Sequence, residues 1–306
     1  MLSPQPGIFA QGTRTHHYLE FDLRPGASAE EAREALARLR EPRVTAGGLN
    51  LVIALGPDLM RRMAPNDTPA ELVPFTTIEG DGRSVPARQH DAWLWLHGTG
   101  PDVVVDGAVA ATQCLEPVFT LAAEQPAYVY RDSRDMTGFI DGTENPPVEE
   151  APDVALIQPD DVGAGGSFVI AIRWVHNLDA FAQLDTEAQQ DVIGRTKIDS
   201  VELEDDVKPP TAHIARVVIE EDGEELEIYR RSTPFGTIEE RGLYFVAFSA
   251  DLSRYDKMLR RMYGLSGDGL HDHLIDFTTP VSAGYYFAPS LNCLHAMLDP
   301  ERDDSD

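Results

Sequence analysis

Two stretches of this chain repeat one order of strands and helices, and that order restricts the fold more than any composition figure. In the first, the alternating run His17-Tyr18-Leu19-Glu20-Phe21-Asp22-Leu23 predicts a strand. Ser28 then caps a helix over Ala29 to Arg40, with Glu31 as capping-box partner and Ala32, Ala35, Leu36 and Leu39 as its apolar stripe. Gly47-Gly48 breaks that helix, and strands follow at Leu49 to Leu55 and His90 to His97. Asp102 to Ala123 reads as mostly helical from Gly107 onward, and Ala127 to Arg131 as a strand. In the second stretch a strand at Ser167 to Trp174 precedes a helix at Asp179 to Ile193. Ile214 to Glu220 and Leu226 to Arg231 read as hairpin arms around the turn dipeptide Asp222-Gly223. A strand at Leu243 to Ser249, a helix at Leu252 to Tyr263 capped near Asp251, and a strand at Val281 to Phe287 complete it.

Strand, helix, strand, strand, helix, strand is the order of a ferredoxin-like unit. The expected fold is therefore α+β: two such units, each an antiparallel sheet covered on one face by helices, over residues 1–145 and 146–298. Pro146 to Gly166, rich in Pro, Gly and Asp, reads as the linker between them. Residues 299–306 read as an acidic, disordered tail.

Charge excludes two classes of partner. The 306 residues hold 52 Asp and Glu against 25 Lys and Arg, a net charge of −27, and the only lysines are Lys197, Lys208 and Lys257. Such a surface repels nucleic acid and anionic membranes. No apolar stretch approaches the roughly 20 residues that span a bilayer. Met1 to Gly12 shows no basic start followed by an apolar run, so a cytoplasmic location is expected. Cys114 and Cys293 stand far apart without CxxC spacing, which argues against a disulfide scaffold or a zinc site.

The stretch Gly138-Phe139-Ile140-Asp141-Gly142-Thr143-Glu144-Asn145-Pro146 sets one acid between glycines, on a backbone that turns sharply or lets a ligand approach closely. An ordinary Asx or N-cap turn would use the same residues, so partners elsewhere must decide. His213 follows Lys208-Pro209-Pro210-Thr211-Ala212, where an irregular segment enters a strand, a place suited to a metal or cofactor ligand. A two-residue loop at Asp222-Gly223 sets Ala215 opposite Arg230 and His213 opposite Ser232. Paired strands lie only about 5 Å apart, too close for a flat cofactor. The expectation is that they splay at Pro209-Pro210 and Arg231 to Gly236, with His213 and Arg230 reaching opposite faces of what sits there. Arg230 carries a permanent charge that can stabilise a developing anion, and Ser232 projects on the same side of the strand. The run His271-Asp272-His273-Leu274-Ile275-Asp276-Phe277 offers two histidines and acids but no third neutral ligand. Asp276 reads there as a carboxylate behind a ligating histidine.

Taken together these motifs resemble the dye-decolorizing peroxidases, a haem enzyme family, and are most similar to its bacterial class B branch. The likeness rests on Gly138-Phe139-Ile140-Asp141-Gly142 as the family's GxxDG motif, continued by Thr143-Glu144-Asn145-Pro146. Ile193-Gly194-Arg195-Thr196-Lys197, His213, the arginine block through Phe235-Gly236, and Asp276-Phe277 follow in the family's order, spanning about Gly7 to Pro289. The resemblance implies one haem b per chain, in the C-terminal unit. It implies His213 as proximal iron ligand with Asp276 behind it, Asp141 and Arg230 on the distal face, and Arg195 at a haem propionate. Many class B members carry asparagine where this chain has Ser232, and a hydroxyl is shorter and bonds differently from an amide.

Peroxide-dependent oxidation is the activity so implied: hydrogen peroxide is cleaved, an oxo-ferryl haem results, and bulky donors such as dyes or phenolics supply electrons. Hydrogen peroxide, an aromatic reductant and further copies of the chain are the expected partners. A haem-binding or haem-handling protein with incidental peroxidase activity, and a haem-free ferredoxin-like binding module, are the alternatives.

Overall fold

Residues 3–39, 48–80 and 82–299 are described by a computed structural model. The first half runs β1 (Thr15–Leu23), α1 (Ala29–Leu39), β2 (Asn50–Leu55), α2 (Pro57–Met63), a small hairpin of β3 (Ile78–Gly80) and β4 (Arg83–Val85), β5 (Ala92–Gly98), α3 (Pro101–Leu115) and β6 (Phe119–Tyr128). The second half runs α4 (Ala151–Ala155), β7 (Ser167–His176), α5 (Leu178–Phe181), α6 (Thr186–Ile193), α7 (His213–Val217), a hairpin of β8 (Glu220–Glu221) and β9 (Glu224–Glu225), and β10 (Tyr229–Arg230). It ends with β11 (Thr233–Gly236), β12 (Arg241–Ser249), α8 (Ser253–Met262), β13 (Thr278–Ala288) and α9 (Leu291–Leu298).

One sheet links both halves in the order β10-β12-β7-β13-β2-β5-β1-β6, with β11 also on β12. Within each half the last strand pairs the first, the first pairs the third, and the third pairs the second. That is the ferredoxin-like order twice over, as expected. The halves join where β13 meets β2, at Phe287 opposite Leu55.

Burial explains the layers. On β5, Leu94 and Leu96 pack with the helix side chains Ala35, Leu36 and Val104, while Trp93 and Trp95 project into a second core with Tyr18, Tyr244, Phe248 and Tyr286. Alternation along a strand sends successive side chains to opposite faces, so one strand serves both cores. Between the halves lies Glu20 on β1, 5% exposed. Its two oxygens accept from Tyr244 Oη at 2.8 Å and Tyr286 Oη at 2.6 Å, and Trp93 Nε1 donates to Tyr244 Oη at 3.1 Å. Burial pushes the Glu20 carboxyl above its usual range, and the two hydroxyls pull the other way. The contact ties the first half to β12 and β13 of the second.

Several expected elements differ. The segment after Ala212 is helical rather than extended, and only the tip of the expected hairpin forms. Asp222 and Gly223 take φ of 54° and 85°, both positive as a type I′ turn demands. The cause is Arg216, 2% exposed, whose guanidinium donates to Arg261 O and Leu270 O and pairs with Asp268. A helical turn delivers that side chain to those carbonyls, which overrides the β-branched residues around it. Helix α3 begins at Pro101, and β6 starts at Phe119 because it pairs with the whole of β1. The helix expected over Asp179 to Ile193 is two, the second capped by Asp185, which accepts from Ala188 N at 2.9 Å. The expected linker contains α4. Arg40, Gly47 and all of the acidic tail except Asp299 lie outside the described residues. Among the described residues no helix is long and apolar enough to cross a membrane.

Replacing Glu20 by leucine strands two buried tyrosine hydroxyls without an acceptor, at about 1–3 kcal/mol each. Urea unfolding of Glu20→Leu is expected to show that loss; a midpoint equal to the parent's would remove Glu20 from the forces joining the halves.

Candidate functional site

A cavity of about 150 Å³ opens between the sheet and the helices of the second half. Ile170, Ile172 and Trp174 of β7 with Leu243 and Phe245 of β12 form its sheet wall, while Val217 of α7 and Met258, Leu259 and Met262 of α8 line it from the helices. Asp141, Arg230 and His213 line this same cavity, although 72 and 17 residues separate them along the chain.

His213 is the first residue of α7. Its Nδ1 meets Asp272 Oδ2 at 2.6 Å, and that carboxylate side chain is wholly buried. The other Asp272 oxygen accepts from Leu274 N at 2.8 Å, capping the turn His273–Asp276. With Nδ1 committed to a carboxylate, Nε2 is the nitrogen that faces a ligand. Asp276, the acid expected behind His213, instead pairs with Arg83 and with His271. Asp272 takes its place because the turn directs the acid at its start inward and the acid at its end outward. The inward signal in sequence was the N-cap position, two residues before Leu274.

The Asp141 loop is held from several sides. Gly138 and Gly142 take φ of 92° and 80°, conformations that side chains resist. Arg134 threads the loop, donating to Gly138 O at 2.9 Å, Lys197 O at 2.7 Å and Ile198 O at 2.8 Å. Asn145 then binds the peptide of Arg230 on both sides, accepting from its N at 2.8 Å and donating to its O at 2.8 Å. Sequence reasoning quoted Asn145 in its motif without giving it this role, since its partner lies 85 residues on.

Burial raises the Asp141 carboxyl above its ordinary range; Arg230 pulls it back, Asp135 pushes it up, and the Gly142 N–H and His213 lower it. Asp135 is a second acid that sequence reasoning missed. Burial pushes it up too, but His176 at 3.0 Å and the Thr137 hydroxyl and N–H outweigh that and hold it low. His176 lines the cavity, with its other ring nitrogen 2.7 Å from Thr278 Oγ1.

Arg195 lies beside Glu144, another lining residue, and pairs with it and with Glu202. Its Nε is buried without a hydrogen-bond partner, an uncommon state for a guanidinium donor. Ser232 is not on the wall between His213 and Arg230. It lines a second opening that shares Asp141 and Arg230 with the first, and its hydroxyl accepts from Val246 N at 3.3 Å. The one-carbon side chain stays at the strand.

These features fit a flat, largely apolar group bearing a metal and carboxylates. The walls are hydrocarbon, one imidazole backed by a carboxylate faces inward, and a buried guanidinium donor at the edge lacks an acceptor.

Residues 5–125 match the family described as Dyp-type peroxidase, N-terminal, and residues 132–293 match Dyp-type peroxidase, C-terminal. A dye-decolorizing peroxidase of Mycolicibacterium paratuberculosis is 33% identical over 305 residues, covering 96% of this chain and 85% of that one. A putative Dyp-type peroxidase of Shewanella oneidensis superposes with a TM-score of 0.91 at 32% identity, covering 97% of this chain and 99% of the other. A variant of Rhodococcus jostii DypB in complex with heme gives a TM-score of 0.91 at 31% identity, with the same coverage. Matched in both halves and along nearly its whole length, the chain belongs to the Dyp-type peroxidase family.

Proposed function

We propose that this peroxidase holds haem b through His213, cleaves hydrogen peroxide between Asp141 and Arg230, and draws electrons from bulky aromatic donors such as dyes or phenolics. The observation that carries the reading is the convergence, in one apolar cavity, of an imidazole backed by the buried Asp272 with a carboxylate and a guanidinium. When bound, the haem would supply an iron that takes oxidising equivalents from peroxide and returns them one electron at a time.

The protein's part begins at His213. Asp272 takes the Nδ1 proton in a hydrogen bond, fixes the ring's orientation and raises the basicity of Nε2, the atom that would ligate iron. Arg195 Nε, buried and unpartnered, would receive a propionate. At the opposite face Asp141, ionised, would accept a proton from the inner peroxide oxygen and return it to the outer one. Arg230 would stabilise the negative charge that grows as the O–O bond breaks, and the apolar walls strengthen that interaction by excluding water. Ser232 is left as a polar lining of the second opening. Trp174 on the cavity wall supports transfer from donors too large to enter.

Three measurements test the assignments. Arg230→Ala should slow the reaction with peroxide roughly 100- to 1000-fold in stopped-flow absorbance; an unchanged rate constant would sink its role. If Asp141 acts as the carboxylate, its raised pKa places the acid limb of the peroxide rate above the ordinary Asp range near ~3.9. The rate then climbs as pH rises through that limb, and Asp141→Asn removes the limb; a limb that persists in the variant assigns it to another group. Asp272→Asn should weaken haem retention roughly 10- to 100-fold, read as Soret absorption lost to an apo acceptor, while Asp276→Asn holds haem like the parent. Equal retention in both variants would return the supporting acid to question.

A further inference from the structure

The turn that holds Asp272 against His213 presents two histidines on either side of that acid, and a second acid closes the group. His271, His273 and Asp276 each offer a ligand atom, and these atoms all lie within 4.8 Å of one another. His271 Nε2 and Asp276 Oδ2 are 3.3 Å apart. Two ligands at ~2.0–2.1 Å from a tetrahedral ion stand about that far from each other.

Other contacts hold these ligand residues in place. Thr211 Oγ1 lies 3.2 Å from His273 Nδ1, and the His273 N–H donates to Thr211 O at 3.0 Å, so ring and backbone are both held to Thr211. Arg83, on β4, takes Asp276 Oδ1 and leaves Oδ2 on the side of His271. The Asp272 cap on Leu274 N holds the short turn that sets the spacing. Partners of this kind orient the ligands of established metal sites.

We propose that His271, His273 and Asp276 form a surface site for a divalent transition-metal ion of the zinc, nickel or copper type. Two imidazoles and one carboxylate suit these ions and not magnesium or calcium, which prefer all-oxygen sets. Three protein ligands leave positions open for water, so the missing third neutral ligand is no obstacle. The chain's net charge of −27 raises the local concentration of any cation. None of the three residues lines the cavity, so the site stands apart from the haem reading.

Titration calorimetry of the haem-loaded full chain with Zn²⁺ tests it. Wild type should bind an ion that excess Mg²⁺ does not displace, and the melting temperature should rise with Zn²⁺ concentration. His271→Ala, His273→Gln and Asp276→Asn should each weaken binding by at least about tenfold and flatten the melting response, with the Soret band unchanged as proof of folding. His90→Ala, which removes a histidine paired with Asp22 elsewhere, should bind like wild type. Equal Zn²⁺ affinity in wild type and all three variants, or an equal loss in His90→Ala, would overturn the proposal.

Discussion

Two hydrogen bonds from Asn145 to the peptide of Arg230 make one rigid wall of a glycine loop and a strand that are far apart in sequence. Everything proposed for peroxide depends on that wall. A carboxylate and a guanidinium facing an apolar cavity are expensive to bury, and each must be held where its charge is used rather than where solvent would pull it. Arg134 anchors the loop from behind through three carbonyls, and the only donor of its own loop that reaches the Asp141 carboxylate among the causes of its shift is the Gly142 N–H. That leaves the carboxylate available to a ligand.

The opposite wall follows the same logic with different parts. His213 opens a one-turn helix too short to be stable alone, and burial of Arg216 beneath it, bonded to Arg261 O and Leu270 O, is what holds that turn in place. Asp272 then reaches the ring from a second short turn. The first half of the chain lines the cavity only through Asp141 and Glu144 of its closing loop among the described residues, yet its strands brace the sheet wall from behind. Glu20 reaches across to Tyr244 and Tyr286, and Tyr244 stands between Leu243 and Phe245, which line the cavity from the other face of β12. A buried acid between the halves therefore steadies the strand that forms one side of the site.

Local sequence signals mislead where short segments depend on distant partners. The β-branched residues from Ile214 to Ile219 read as a strand because period and propensity are local signals, whereas the pull on Arg216 comes from residues 45 and 54 positions later. Spacing in the run His271 to Phe277 says nothing about which side of a turn faces inward, so Asp276 reads as the supporting acid where the fold uses Asp272. The run at His271 lacks a third neutral ligand in sequence, and what organises it is Thr211 and Arg83, neither of them near in sequence.

The sequence by itself determined the doubled ferredoxin-like order, through strand alternation and capped amphipathic helices, and it determined the chemical types at the site, through an acid between glycines, a histidine after two prolines and a paired arginine. These are properties that neighbouring residues encode. Packing alone sets which acid reaches His213, that Asn145 binds Arg230, and that Ser232 lines a second opening. Those are contacts between segments 14 to 85 residues apart, and their geometry is set by how the sheet and helices pack together.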